Sequence, residues 1–320
     1  MKRRQALLLL AFAATLPTAH AQTEKWPAKS VRIVVPFTPG GNTDRVARML
    51  AARFSKEFGQ QFIVDNRAGA GGRIGSEIVA RANPDGYTLA VVPSSFAISA
   101  ALYKLPYDPV KGIAPISMIV TGPLVMVVHP SVKATTLKEF IALVGAAPDT
   151  VRYGSTGAGT NFHLAGELFQ QMTQTRMIHV PYKGQAPATI DLLAGQIQLM
   201  YSGVPTMLPH IKAQKLRGLA VTAARRSPAL PDLPAVSELL PGYLADAWSG
   251  MWAPAGTPKE IVARLNQAIA DFLKQPDVQE IFRADAAESV HTTPEEFARV
   301  IAREIATWSK VVKSGNIKVE

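Results

Sequence analysis

Cysteine is absent from all 320 residues. That excludes a disulfide framework, a thiolate metal site and a cysteine nucleophile. It also leaves no residue after the N-terminal apolar run to carry a lipid, so the mature chain is expected to be free rather than anchored. Past that run, no apolar stretch reaches the length of a membrane span, because Pro, Gly or charge interrupts each candidate. Past Lys2, Arg3 and Arg4, blocks of basic residues are missing as well. The formal net charge is +10, three of it from those residues, and the other lysines and arginines are scattered without the clustering that a nucleic-acid footprint requires. The excess is read as a mild attraction for anions, with no nucleic-acid partner.

Enzyme signatures are largely missing too. His129, His163, His179, His210 and His291 show no close metal-ligand spacing, so neither a metal nor a cofactor is expected. Gly69-Ala70-Gly71 and Gly157-Ala158-Gly159 resemble the start of a dinucleotide fingerprint, but Ile74 and Phe162 stand where its third glycine belongs. The segment 154–160 has no Lys for a phosphate-binding loop, and no Ser sits in a G-x-S-x-G elbow. Ser155 and His163 could mimic a catalytic dyad, although a histidine near a helix start more often caps the helix or hydrogen-bonds a ligand.

What the chain does carry begins with an export leader. Lys2, Arg3 and Arg4 form a basic start, Ala6 to Leu16 is a short apolar run, and Ala19-His20-Ala21 ends it with small residues. This pattern is a signal peptide over residues 1–21, cleaved before Gln22, and places the protein in the periplasm. The remaining ~300 residues suit about two domains.

Those residues alternate short β-branched runs with helical patterns, the mark of an α/β fold with mainly parallel strands. Strands are expected at 31–35, 62–64, 87–92, 151–153, 178–180, 197–201 and 216–222. Helices are expected after Thr43, with Val46, Met49, Leu50 and Phe54 on one face, and through Ile78 and Val79. Others follow from Asn161, around Ile190 and Leu193, from Pro258 and from Thr293-Pro294. Within the apolar segment 116–128, Gly122-Pro123 is expected to split two short strands at a crossing between domains. Trp248 to Ala253 would be the return crossing.

Three loops share one design, a buried strand followed by a turn of small residues and a helix start. They are Pro39 to Asp44, Ser155 to Asn161, and Tyr182 to Gln185. Glycine lets backbone N–H groups approach a ligand, and a helix start adds unpaired donors and partial positive charge, so an anion is favoured there. In parallel sheets such loops gather at the carboxyl ends of the strands. Candidate contacts are Phe37, Thr38, Gly40, Gly41, Thr43 and Asp44 in the first loop, and Ser155, Thr156, Gly159, Thr160 and His163 in the second. Lys183 and Gly184 come from the third, and Ser94 and Ser202 lie just past two strand ends. Asp44 has two readings, a carboxylate that complements the helix dipole or one that orients the loop and bridges to the ligand through water. Phe37 and Trp248 are candidates for a cleft wall, with core packing the alternative.

The run Val34-Val35-Pro36-Phe37-Thr38-Pro39-Gly40-Gly41-Asn42-Thr43-Asp44 resembles the opening signature of the Bug receptors, the substrate-binding proteins of tripartite tricarboxylate transporters. Similar matches follow in order at 65–72, 84–89, 105–108, 154–164, 180–184 and 253–258, so the resemblance spans the whole mature chain. One departure is Lys111-Gly112-Ile113, where that family has an acidic-aromatic pair. The resemblance implies a two-domain periplasmic binding protein of the type 2, flytrap kind, hinged on two crossing strands. Residues 22–122 plus 248–320 would form domain 1 and residues 123–247 domain 2. It further implies a monomer that holds a small organic carboxylate through backbone amides, hydroxyls and bridging waters near Gly40-Gly41 and 155–160, and delivers it to membrane permease subunits. A sensor that docks on a membrane histidine kinase would use the same liganded state, and an exported hydrolase built on Ser155 and His163 is a further alternative.

Overall fold

A computed structural model of the chain describes residues 26–243 and 245–314; the leader and its cleavage site lie outside them. Among the described residues the strands are β1 (Val31–Val35), β2 (Phe62–Asn66), β3 (Thr88–Pro93), β4 (Ile113–Val128), β5 (Arg152–Ser155), β6 (Ile178–Pro181), β7 (Leu199–Gly203), β8 (Arg217–Val221), β9 (Asp246–Pro254) and β10 (Glu288–Ser289). The helices are α1 (Asn42–Phe58), α2 (Arg73–Ala80), α3 (Ser95–Leu102), α4 (Leu137–Ala146), α5 (Asn161–Thr173), α6 (Gln185–Leu193), α7 (Val204–Lys212), α8 (Lys259–Leu273), α9 (Pro276–Ala284) and α10 (Pro294–Ser314).

The strands run in the order β2-β1-β3-β9-β4-β7-β5-β6, with β8 and β10 also beside β4. β1 lies parallel to β2 and β3, and β5 lies parallel to β6 and β7. β1 is apolar at every position but Arg32, because both its faces are covered. On one face Leu50 and Phe54 of α1 meet Leu265 and Phe272 of α8; on the other, Val34 packs among Trp252 of β9 and Phe297 of α10. The second half repeats the plan, with Tyr153, Phe140 and Phe169 on one side and Leu192, Met200 and Met207 on the other. Full burial of side chains such as Leu50 and Phe54 stabilises each half by roughly 1.5–3 kcal/mol apiece.

The segment expected to break at Gly122-Pro123 does not break. β4 is one strand of 16 residues that changes partners at that point. Its residues 113–123 pair with β9, and residues 124–128 pair with β7 and β8. Pro123 has no N–H to donate, and it sits where the ladder passes from one set of partners to the other, so little pairing is lost. β9 runs antiparallel beside it, as the expected return crossing.

Smaller differences have local causes. Thr43 does not cap α1; it is the second helical residue, and Gly41 occupies the cap. The helix expected around Ile190 and Leu193 is α6, and Ile190 on it is 65% exposed. Ala188 and Leu192, four residues apart, share the buried face, and Ile190, two from each, points away from it. Helices α3, α4, α7 and α9 were not anticipated. α4 had a legible signal in Thr136 and Glu139, which form a full capping box. α7 carries Pro209 internally, which disguised it.

Candidate functional site

Four helix starts converge where the two halves face each other, namely those of α1, α5, α6 and α7. None is capped by the side chain of its own N-cap residue, in contrast to α4 with its complete capping box. The first N–H groups of a helix have no partner inside it, so these ends present free donors and partial positive charge.

Contacts bridge the halves at these ends. The Asn42 N–H, first in α1, donates to Oε1 of Gln185, first in α6, at 2.7 Å. Gln185 Nε2 donates in turn to Ser202 Oγ at 2.9 Å, and Thr206 Oγ1 donates to Asn42 Oδ1 at 2.8 Å. The Thr38 N–H points to the Lys183 carbonyl at 3.4 Å. Glycines allow the approach. A Cβ on Gly184 would stand 2.0 Å from Thr38 Oγ1, and one on Gly71 would stand 2.8 Å from the Ala158 carbonyl oxygen.

Between the halves lies a cavity of about 900 Å³, counting its open mouth. The first loop contributes Phe37, Thr38, Gly41, Asn42, Thr43 and Asp44, and the second contributes Thr156, Asn161 and Phe162. Gln185, Gly203 and Pro205 come from the starts of α6 and α7. The back wall is the stretch where β4 and β9 pass between the halves, 120–123 and 247–249. Phe37 and Trp248 are both wall residues. Thr38 Oγ1 and Asn161 Nδ2 are buried there without a hydrogen-bond partner. Buried polar groups are normally satisfied, and these two belong to residues that line the cavity.

The remaining candidates stand behind this lining. Gly40, at φ 86°, makes the turn that brings its N–H to Asp44 Oδ2 at 3.0 Å. Asp44 also accepts from Arg48 Nε and Asn66 Nδ2, 3.0 and 2.9 Å away. Burial alone would raise its pKa, but these bonds outweigh burial and hold the carboxyl below its ordinary range. Asp44 therefore orients the first loop as an anion. Ser94 is buried with its hydroxyl unpartnered beside Pro93, which lines the cavity. Lys183 turns its side chain to solvent and contributes only its carbonyl, while Gly184 and Ser202 belong to the bridging contacts.

The second loop is braced from beneath. Ser155 is fully buried and does not line the cavity; its Oγ meets the Gly157 N–H at 3.1 Å and His179 Nε2 at 2.6 Å. Thr160 Oγ1 donates to the Gly157 carbonyl, and His163 Nδ1 accepts from the Gly159 N–H. The histidine of Ser155 is thus His179, not His163, and the two imidazoles stack with centroids 4.0 Å apart. Burial lowers the pKa of both, that of His179 to about 3 with help from His163, so both are neutral near pH 7. A sealed serine beside such a weak base positions a loop and does not attack a substrate.

Residues beyond the candidate set also matter. Asn161 and Gln185 are not among the candidate contacts, yet each is the first residue of an uncapped helix and lines the cavity. Arg45 and Asp285 form an ion pair on the cavity wall, and 240 residues of separation hid it. Among the described residues no group of three or more His, Asp or Glu could hold a metal ion, and no helix is long and apolar enough to cross a membrane.

Comparison with known proteins agrees with this geometry. A family profile described as the tripartite tricarboxylate transporter family receptor matches residues 46–317. Protein BugT of Bordetella pertussis is 36% identical over 324 residues, covering 100% of this chain and 99% of its own. Among solved structures, the periplasmic binding protein BugD superposes with a TM-score of 0.89 at 34% identity, covering 92% of this chain and 100% of that one. Rpa4515 of R. palustris, solved with adipate, gives 0.88 at 38% identity, covering 91% and 99%. A continuous sheet passing through two halves, and a cavity walled by helix starts at the crossing strands, is the α/β flytrap fold of these proteins. The chain belongs to the tripartite tricarboxylate transporter receptor family and is a periplasmic solute-binding protein, not an enzyme.

Proposed function

We propose that the chain, cleaved before Gln22, captures a small organic carboxylate between its halves and delivers it to the membrane permease subunits of a tripartite transporter. The carrying observation is the pair of uncapped helix starts, α1 and α5, on a cavity where Thr38 Oγ1 and Asn161 Nδ2 are buried without partners. A carboxylate there would accept from both side chains and from the free N–H groups of Thr43 and Phe162. That the similar Rpa4515 holds adipate supports the same chemistry. In this reading residues 22–122 with 248–320 form one domain and 123–247 the other, and they hinge where β4 and β9 pass between the halves. The ligand favours the closed population by bridging the two.

Direct contacts in this scheme are Thr38, Gly41, Thr43, Thr156 and Asn161, with Phe37 as wall. Gly40, Asp44, Ser155, Gly159, Thr160 and His163 hold the loops in place. Calorimetry of ligand-stripped protein against a broad carboxylate panel tests the function, with candidates drawn from the mass of any small molecule released by natively purified protein. Binding of at least one carboxylate is expected, and silence across the panel would end the reading. Asn161→Ala is expected to weaken that binding by about 1.5–3 kcal/mol, the usual worth of a hydrogen bond to a charged group. An unchanged dissociation constant would take Asn161 out of the site.

A further inference from the structure

Charge on the cavity wall is sparse and already engaged. Asp44 is saturated by Gly40, Arg48 and Asn66. Arg45 is the single cation among the lining residues, and it is paired with Asp285. Of the unpartnered buried polar atoms on lining residues, Thr38 Oγ1 and Asn161 Nδ2 belong to the loops before α1 and at the start of α5, and Trp248 Nε1 belongs to β9. Much of the remaining wall is apolar, with Val46 and Met49 from α1, Val120 and Pro123 from β4, Trp248 from β9 and Phe282 from α9.

Resting on the carboxylate reading above, we infer that the ligand is a monocarboxylate with an uncharged apolar body, of ring or short-chain size, and that di- and tricarboxylates are discriminated against. One carboxylate is matched to the helix starts. A second would meet no free cation, and the Thr121 hydroxyl and Gln185 amide on the wall are already bonded, so much of its hydration would be lost without replacement. The cation within reach is Arg45, and recruiting it would strand Asp285. Burial already raises the pKa of Asp285 against the pull of Arg45, so separating the pair carries its own cost. Carbon and hydrogen in the same space displace water from Met49, Phe282 and Trp248 instead, which favours binding. Arg45 and Asp285, with side chains 43% and 13% exposed, are on this view a neutral rim and not a recognition site.

Matched pairs of ligands test this by calorimetry on the ligand-stripped protein, benzoate against terephthalate and hexanoate against adipate. The monocarboxylate of at least one pair is expected to bind at least tenfold more tightly than its dicarboxylate. Dicarboxylates within tenfold of their partners in every pair that binds overturn the inference while the carboxylate function stands. Silence of both pairs, with some other carboxylate of the broad panel binding, likewise overturns only the inference. Silence of every carboxylate removes the function and the inference together.

Discussion

Gly184→Val is expected to weaken ligand binding about 10- to 100-fold while leaving the melting temperature of the ligand-free protein within about 2 °C of the parent. Gly184 has φ 165°, extended backbone that any residue adopts, so the substitution strains nothing locally. Its Cβ would stand 2.0 Å from Thr38 Oγ1 and 3.0 Å from the Thr38 nitrogen. Thr38 belongs to the other half of the molecule, so separating the halves relieves the clash. Rotating the threonine hydroxyl would not, because the backbone nitrogen stays too close. Overpacking costs typically 1–3 kcal/mol, and here the cost falls on the closed form alone. Affinity drops by the same free energy, tenfold for each 1.4 kcal/mol. A control separates this from general destabilisation. A Cβ on Gly166 would stand 2.4 Å from the Tyr153 ring, within the core of a single half, so Gly166→Val should lower the melting temperature with or without ligand. Calorimetry and thermal melts on both variants decide. An unchanged dissociation constant in Gly184→Val would detach closure from binding. A large fall in the ligand-free melting temperature would mean the halves are already locked together without ligand.

That contact shows what local sequence can and cannot disclose. The three loops were legible because each follows a short β-branched strand and consists of residues chosen for their backbone, and all three do open helices. The partnering across the halves was not legible, since Thr38 and Gly184 are 146 residues apart in the chain and meet only through the path of β4 and β9. For the same reason Gly122-Pro123 read as a break. Propensity is a local quantity, whereas pairing with β9 before it and β7 and β8 after it holds the strand continuous. The second loop misled in another way. Ser155 and His163 are eight residues apart and invite pairing on paper, but β6 lies parallel to β5 in a register that sets His179 opposite Tyr153. That register delivers His179, from the next strand, to the hydroxyl of Ser155 and beneath the ring of His163.

The same buried pair predicts how the protein responds to acid. Histidine in an unfolded chain takes up its proton near pH 6.5, whereas burial holds His163 below that value and His179 at about 3. As pH falls from about 6.5 toward 3, the unfolded chain therefore binds protons that the folded protein refuses. Stability contributed by the pair is complete above about pH 6.5 and is lost progressively below it, by up to roughly 1.4 kcal/mol per pH unit for each histidine. Glu167, 3.6 Å from His163 Nε2, tempers the effect at that ring by favouring its charged form. Urea unfolding at a series of pH values measures the slope. His179→Phe keeps an aromatic ring between Tyr153 and His163 but cannot titrate. It should be less stable than the parent at pH 8, because Ser155 loses a partner, and its stability should fall less steeply between pH 6.5 and 4. Parallel slopes would remove His179 as the source. Binding should follow stability by a specific route. The Gly159 N–H donates to His163 Nδ1, and a protonated imidazole has no lone pair there to accept it. Acid thus unfastens the loop that leads into α5 and carries Asn161 to the cavity, so ligand affinity should decline before the fold is lost.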